Sequence, residues 1–202
     1  MKKGLLARTA VGLLGGALLI GAAGAAVADE IGNDDVDVTV DITALPSTGA
    51  LTLSVAAGSA VLTEGESADP DQRVFAGQLP TVTVTDDRDN IPAGSAWYVT
   101  GQASALTAGP DASIDPGYLG WKPKLLTQSA EVSAGGDVDT VLDEGPNNVG
   151  LTQAEFLATA FDAQSAAGTW QATADLLLKT PKDVTPGSYS GTITLTLWEE
   201  LS

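Results

Sequence analysis

The side chains best able to do chemistry in this chain are carboxylates: 26 Asp and Glu stand against nine Lys and Arg, with no His and no Cys. Several carboxylates close together can hold calcium, which takes carboxylate and carbonyl oxygens at once. The tightest such group is Asp86, Asp87, Asp89 and Asn90, in turn-rich sequence whose carbonyls lie nearby. Asp34, Asp35 and Asp37, and Asp137 with Asp139, are weaker groups, and none of the three has the spacing of an EF-hand loop. Solvated loop charge is the plainer reading of each, so calcium is a weak candidate and no other cofactor is implied. A facing pair of carboxylates could also hydrolyse a glycosidic bond, but nothing singles out one pair among so many acids. Lys122, Lys124, Lys179 and Lys182 lie near prolines without a serine motif, which leaves no Ser/Lys nucleophile. Without His, the commonest general base and metal ligand are missing. The expectation is a protein that is not an enzyme.

Aromatic side chains offer different chemistry, since an exposed ring can stack on the apolar face of a sugar. Trp97 and Trp170 fall in alternating sequence and are expected in the core. Trp121, between Gly120 and Lys122-Pro123, lies in loop-like sequence. A core or loop-anchoring role is the first expectation for it, and an exposed sugar-stacking ring the second.

The elements that must position these groups follow from hydrophobic periodicity. Val36, Val38, Val40 and Ile42 alternate with polar residues, as do Leu51, Leu53 and Val55, then Val82 and Val84, then Trp97 and Val99. Trp170, Ala172, Ala174, Leu176 and Leu178 share one face of a longer strand, and the chain returns from Tyr189 to Trp198. A period of two predicts half-buried strands. The spacing as a whole predicts an all-β protein, an antiparallel β-sandwich or barrel-like Greek key of roughly 7–10 strands. At most one short helix is expected, where Thr152 and Glu155 have capping-box spacing before Phe156, Leu157 and Ala160. Residues 117–126 and 135–150 read as loops.

Residues 1–28 have the three parts of a signal peptide: basic Lys2, Lys3 and Arg8, an apolar stretch over residues 11–20, and Ala26-Val27-Ala28 before Asp29. Cleavage is expected there, leaving one domain over residues 29–202 with a flexible leader at 29–35. All the acids lie after the cut and only six bases remain, a net charge of −20. Such a surface repels nucleic acid and disfavours docking on anionic lipid or an acidic wall polymer by charge alone. No later apolar run reaches membrane length, so no membrane association is expected after cleavage. Leu45-Pro46-Ser47-Thr48-Gly49 spells a sortase sorting signal, but it stands far from the C-terminus and its residues are ordinary turn formers. It reads as a turn.

Val82-Thr83-Val84-Thr85-Asp86-Asp87-Arg88, followed by Trp97-Tyr98-Val99, resembles the first motif of the WxL-domain proteins of Gram-positive cell surfaces. Tyr189-Ser190-Gly191-Thr192-Ile193-Thr194-Leu195-Thr196-Leu197, after Val184-Thr185-Pro186-Gly187, follows the spacing of the second. Val99 stands where the first motif has Leu, Leu195 where the second has Trp, and the usual terminal Pro is absent. Trp198 does not substitute for that Trp, because alternation puts it on the face opposite Ile193, Leu195 and Leu197. The resemblance implies a secreted, non-catalytic protein held non-covalently on the peptidoglycan cell wall, beside companion surface proteins. It marks Trp97, Val99, Tyr189, Leu195 and Leu197 as motif residues, either at the binding face or holding the sheet that presents it. A structural or adhesion module that binds another surface protein or self-assembles is the alternative.

Overall fold

Alternation carries the architecture. The computed structural model describes residues 48–201; the signal peptide, the leader, the strand expected over residues 36–42, Leu45 to Ser47 and the acids Asp34, Asp35 and Asp37 lie outside them. The strands in chain order are β1 (Leu51–Val55), β2 (Thr63–Gly65), β3 (Gln72–Gln78), β4 (Val82–Asp86), β5 (Ser95–Ala103), β6 (Leu106–Thr107), β7 (Ser113–Ile114), β8 (Leu119–Leu125), β9 (Val132–Ala134), β10 (Glu155–Ala160), β11 (Gly168–Pro181) and β12 (Ile193–Leu201). They form a six-stranded sheet centred on β11 and a four-stranded sheet in the order β12-β5-β10-β9, with β6 and β7 as a small separate ribbon. All pairings are antiparallel, and the architecture is that of a β-sandwich rather than a closed barrel.

In the larger sheet β3 and β4 lie end to end along one edge of β11, and β8 pairs with its other edge. Between Asp175↔Gln78 and Ala172↔Val82 the β3–β4 side takes one residue more than β11. The extra residue falls at Leu79-Pro80-Thr81, where Pro80 has no N–H to donate to the ladder. The core fills the space between the sheets: Val82 and Val84 from β4, Trp97 and Val99 from β5, Trp121 from β8, and Ala174 and Leu176 from β11 are all buried. The sheets meet closely where the Trp121 ring lies on the backbone of Gly101; a Cβ there would stand 2.5 Å from the ring.

Two expectations about local structure are overturned. Residues 152–160 are not helical: Glu155–Ala160 is β10, paired with β5 on one edge and β9 on the other. Thr152 donates its hydroxyl to Val149 O (3.2 Å) and Glu155 accepts from Gln153 (3.2 Å), so the capping box does not form. A register shift between Phe156 and Ala158 turns Leu157, Ala158 and Ala160 inward together. Burial between two strands outweighs the modest helix propensity of this segment. Residues 117–126 are likewise not a loop. Asp115 accepts from the Gly117 N–H (2.8 Å), capping a 3-10 turn at Pro116–Tyr118 that leads directly into β8. An outer strand tolerates Pro123, whose missing N–H need not face a neighbour.

Residues 135–150 do run without a named strand, hugging β8 through paired 2.9 Å backbone bonds between Trp121 and Val138. At the entry to this segment Gly135 passes so near β10 that an added Cβ would fall 1.6 Å from Phe156 O. Gly135→Ala is therefore expected to push β9 off β10 and cost at least the roughly 1–3 kcal/mol of an overpacked site. A thermal melt checks this, a melting temperature equal to wild type being the contrary result.

Candidate functional site

The motif residues of β5 and β12 lie side by side, with those of β5 in the interior. Trp97 and Val99 on β5 are fully buried, and Leu197 pairs with Val99 and Leu195 with Gly101 across the β12–β5 ladder. Leu195, Leu197 and Tyr189 are partly buried against the core, and the Tyr189 hydroxyl donates to Thr185 O (2.7 Å). Trp121 is also fully buried, so the expectation that leaves its ring free for a sugar is corrected: the ring is covered by the opposite sheet. The indole N–H groups of Trp97 and Trp121 are buried without a hydrogen-bond partner. Trp97, Val99 and Trp121 are thus sealed between the sheets, while Tyr189, Leu195 and Leu197 keep part of their surface in solvent.

The Asp86 group is an ion-pair staple rather than a cation cage. Arg88 donates bidentately to Asp86 (Nε to Oδ1 and Nη2 to Oδ2, both 2.7 Å) and through Nη1 to Glu199 on β12 (2.6 Å), which joins the two sheets. Hydrogen bonds to both carboxylates raise the Arg88 pKa still further above its ordinary value, so it stays charged at any accessible pH. Asp87 accepts from the Ala50 N–H (2.7 Å) and Asp89 from the Thr48 hydroxyl, while Asn90 lies on the exposed turn. Among the described residues no group of three or more acids is arranged to hold a metal ion. The Asp137 carboxylate instead faces Lys122 at 3.4 Å.

A second half-buried pair ties the 135–150 segment to β11. Partial burial opposes the charge of Asp143, but the Lys179 ammonium, the Thr140 hydroxyl (2.7 Å) and the Thr140 N–H (3.0 Å) together hold its carboxyl below the usual range. A carboxyl depressed on folding stabilises above its unfolded pKa, and that contribution is lost as pH falls through the folded value. Asp143→Asn should thus lower stability by about 1 kcal/mol at neutral pH. The gap to wild type should close below about pH 4. Urea denaturation across that range checks it; a gap independent of pH would contradict the assignment.

Among the described residues, the outer face of the four-stranded sheet gathers exposed aromatic side chains. Because Trp97 and Val99 point inward, Tyr98, Thr100 and Gln102 of β5 point outward. Register places Thr194, Thr196 and Trp198 of β12 on one side of them and Phe156 and Thr159 of β10 on the other. Trp198 and Phe156 are 47% and 49% exposed, unusual for rings of this size. The Tyr98 ring stacks on Trp198 at 6.3 Å and meets Phe156 edge-on at 5.3 Å. Trp198 is further fixed by its Nε1–H bond to Thr100 Oγ1 (2.9 Å). An aromatic row thus crosses three adjacent strands, bordered by hydroxyl and amide groups. On β12 only Glu200, at its far end, brings a charge to this face. By contrast, a shallow open depression lined by Lys124, Leu125, Gln128, Ser129 and Ala134 holds no carboxylate.

Sequence reasoning places Trp198 on the correct face but does not find this row. The available signal is a strand-parity match between the outward positions of β5 and β12, and the helical reading of Phe156 hides the third ring. No helix among the described residues is long and apolar enough to cross a membrane. Compared with known proteins, the chain matches no family model and no curated sequence.

Proposed function

We propose that this is a secreted, non-catalytic protein that associates non-covalently with the peptidoglycan cell wall and is displayed at the cell surface. The observation that carries the reading is the exposed aromatic face of Trp198, Tyr98 and Phe156 on a chain of net charge −17. A strongly acidic protein held at an anionic surface by charge needs a basic patch; this one has instead an aromatic sheet face on which Glu200 is the one charge that β12 contributes. The WxL-like motifs support the same assignment, since their side chains build the β5–β12 ladder on which two of the three rings stand.

Sedimentation with purified peptidoglycan sacculi tests the reading. The protein should pellet with the sacculi well above an unrelated acidic control, and recovery in the supernatant alone would refute it. One observation favours the alternative, a module that assembles with itself or another surface protein. β12 is a nine-residue strand whose outer edge has no strand partner among the described residues, and open edges template pairing. Size-exclusion chromatography over a concentration series, with and without calcium, separates the two: self-assembly without sedimentation favours the alternative.

A further inference from the structure

We infer that the aromatic row is the binding site itself and that its ligand is the uncharged glycan backbone of the wall, not the peptide stems or anionic polymers attached to it; this rests on the wall-binding reading above. The argument begins with charge. Stem peptides carry carboxylates and amines, and anionic polymers carry phosphates or carboxylates, so each needs charged partners at its site. The row and its neighbours Thr100, Thr194 and Thr196 carry none. The one charge that β12 adds to this face is the carboxylate of Glu200 beyond Trp198, and that carboxylate and the surrounding chain repel anions. A neutral sugar chain incurs no such penalty.

The second argument is shape and chemistry. A pyranose presents a face of C–H groups and a rim of hydroxyls. Half-exposed Trp198 and Phe156 offer apolar ring surface for the first, and outward threonines and Gln102 offer donors and acceptors for the second. A protein partner would be expected to meet arginine among the aromatic anchors, and among the described residues this face has no Arg.

Preorganisation is the third. Trp198 is held by Thr100 Oγ1 and by stacking on Tyr98, and Tyr98 in turn braces Phe156. Rings already fixed lose little freedom on binding. Their succession across β12, β5 and β10 matches an extended polymer running across the strands, with successive sugars meeting successive rings. Trp198 and Phe156 are then the contact residues, and Tyr98 is a positioning residue that sets their orientation.

The test compares the full exported chain with its Trp198→Ala and Phe156→Ala variants by calorimetric titration with soluble, uncharged N-acetylglucosamine oligomers, alongside sedimentation with sacculi. Each variant should weaken oligomer binding about tenfold, the effect of losing one ring contact, while melting close to wild type. Binding should be unchanged by high salt, because no ion pair contributes. Sedimentation without oligomer binding, or variants that bind oligomer like wild type, would overturn the glycan assignment and leave the wall reading standing. Failure of the wild-type protein to sediment would remove both.

Discussion

Replacing Arg88 with methionine is expected to lower stability by about 3–5 kcal/mol, because it strands a buried carboxylate. In a chain of this size that loss appears as a fall in melting temperature on the order of 10 °C. Asp86 is 1% exposed, and both of its oxygens accept from the Arg88 guanidinium. With that partner gone the carboxylate must remain desolvated and unpaired or take up a proton, and both carry a cost. The same substitution cuts the link to Glu199 and with it a tie between the sheets. Replacing both partners, as Asp86→Asn with Arg88→Met, should recover most of the loss, since a neutral pair carries no uncompensated charge. Thermal unfolding of the two variants makes the comparison. A single variant within about 1 kcal/mol of wild type would show that the pair is not the staple described here.

The tryptophans supply the second large effect, as a contrast. Trp121→Ala should cost about 3–5 kcal/mol, the range for deleting a buried large aromatic side chain. The ring is fully buried and packs directly on Gly101 of the other sheet, so its loss opens a cavity at the sheet–sheet contact. Trp198→Ala removes a ring that is nearly half in solvent, and its cost should stay near 1 kcal/mol. Urea midpoints at constant slope separate the two. Similar losses for both would mean that Trp198 serves the core and that its face is not free for a ligand.

The contrast also marks how far the sequence could be read. Strands β1, β4, β5, β11 and β12 announce themselves by alternation, and the inward side of each is the side observed. β8 has the same alternation, with Leu119, Trp121 and Pro123 buried and Lys122 and Lys124 exposed. Gly120 and Pro123 disguise it as a loop, because their usual meaning is a break in structure. β10 is hidden differently: Phe156, Leu157, Ala158 and Ala160 fit a short helix as well as a bulged strand, and only pairing with β5 and β9 decides between them. The acids around Asp86 illustrate the limit for sites. Spacing shows that carboxylates are close, but not that Arg88 occupies the most buried of them. The aromatic face was least legible of all. Tyr98, Phe156 and Trp198 are far apart in sequence, and nothing local says that β10, β5 and β12 lie side by side.

The four indole N–H groups provide the most direct test of the central claim, that wall glycan is held on the outer face of the four-stranded sheet. Trp97 and Trp121 are sealed in the core, Trp170 donates to Ala166 O (2.7 Å), and Trp198 donates to Thr100 Oγ1 at the surface. In a proton–nitrogen NMR titration with enzymatically solubilised peptidoglycan, the Trp198 indole signal should shift in a saturable way while the other three stay in place. A saturable response in the rest of the spectrum that leaves the Trp198 signal unmoved, or no response at any concentration, would contradict it.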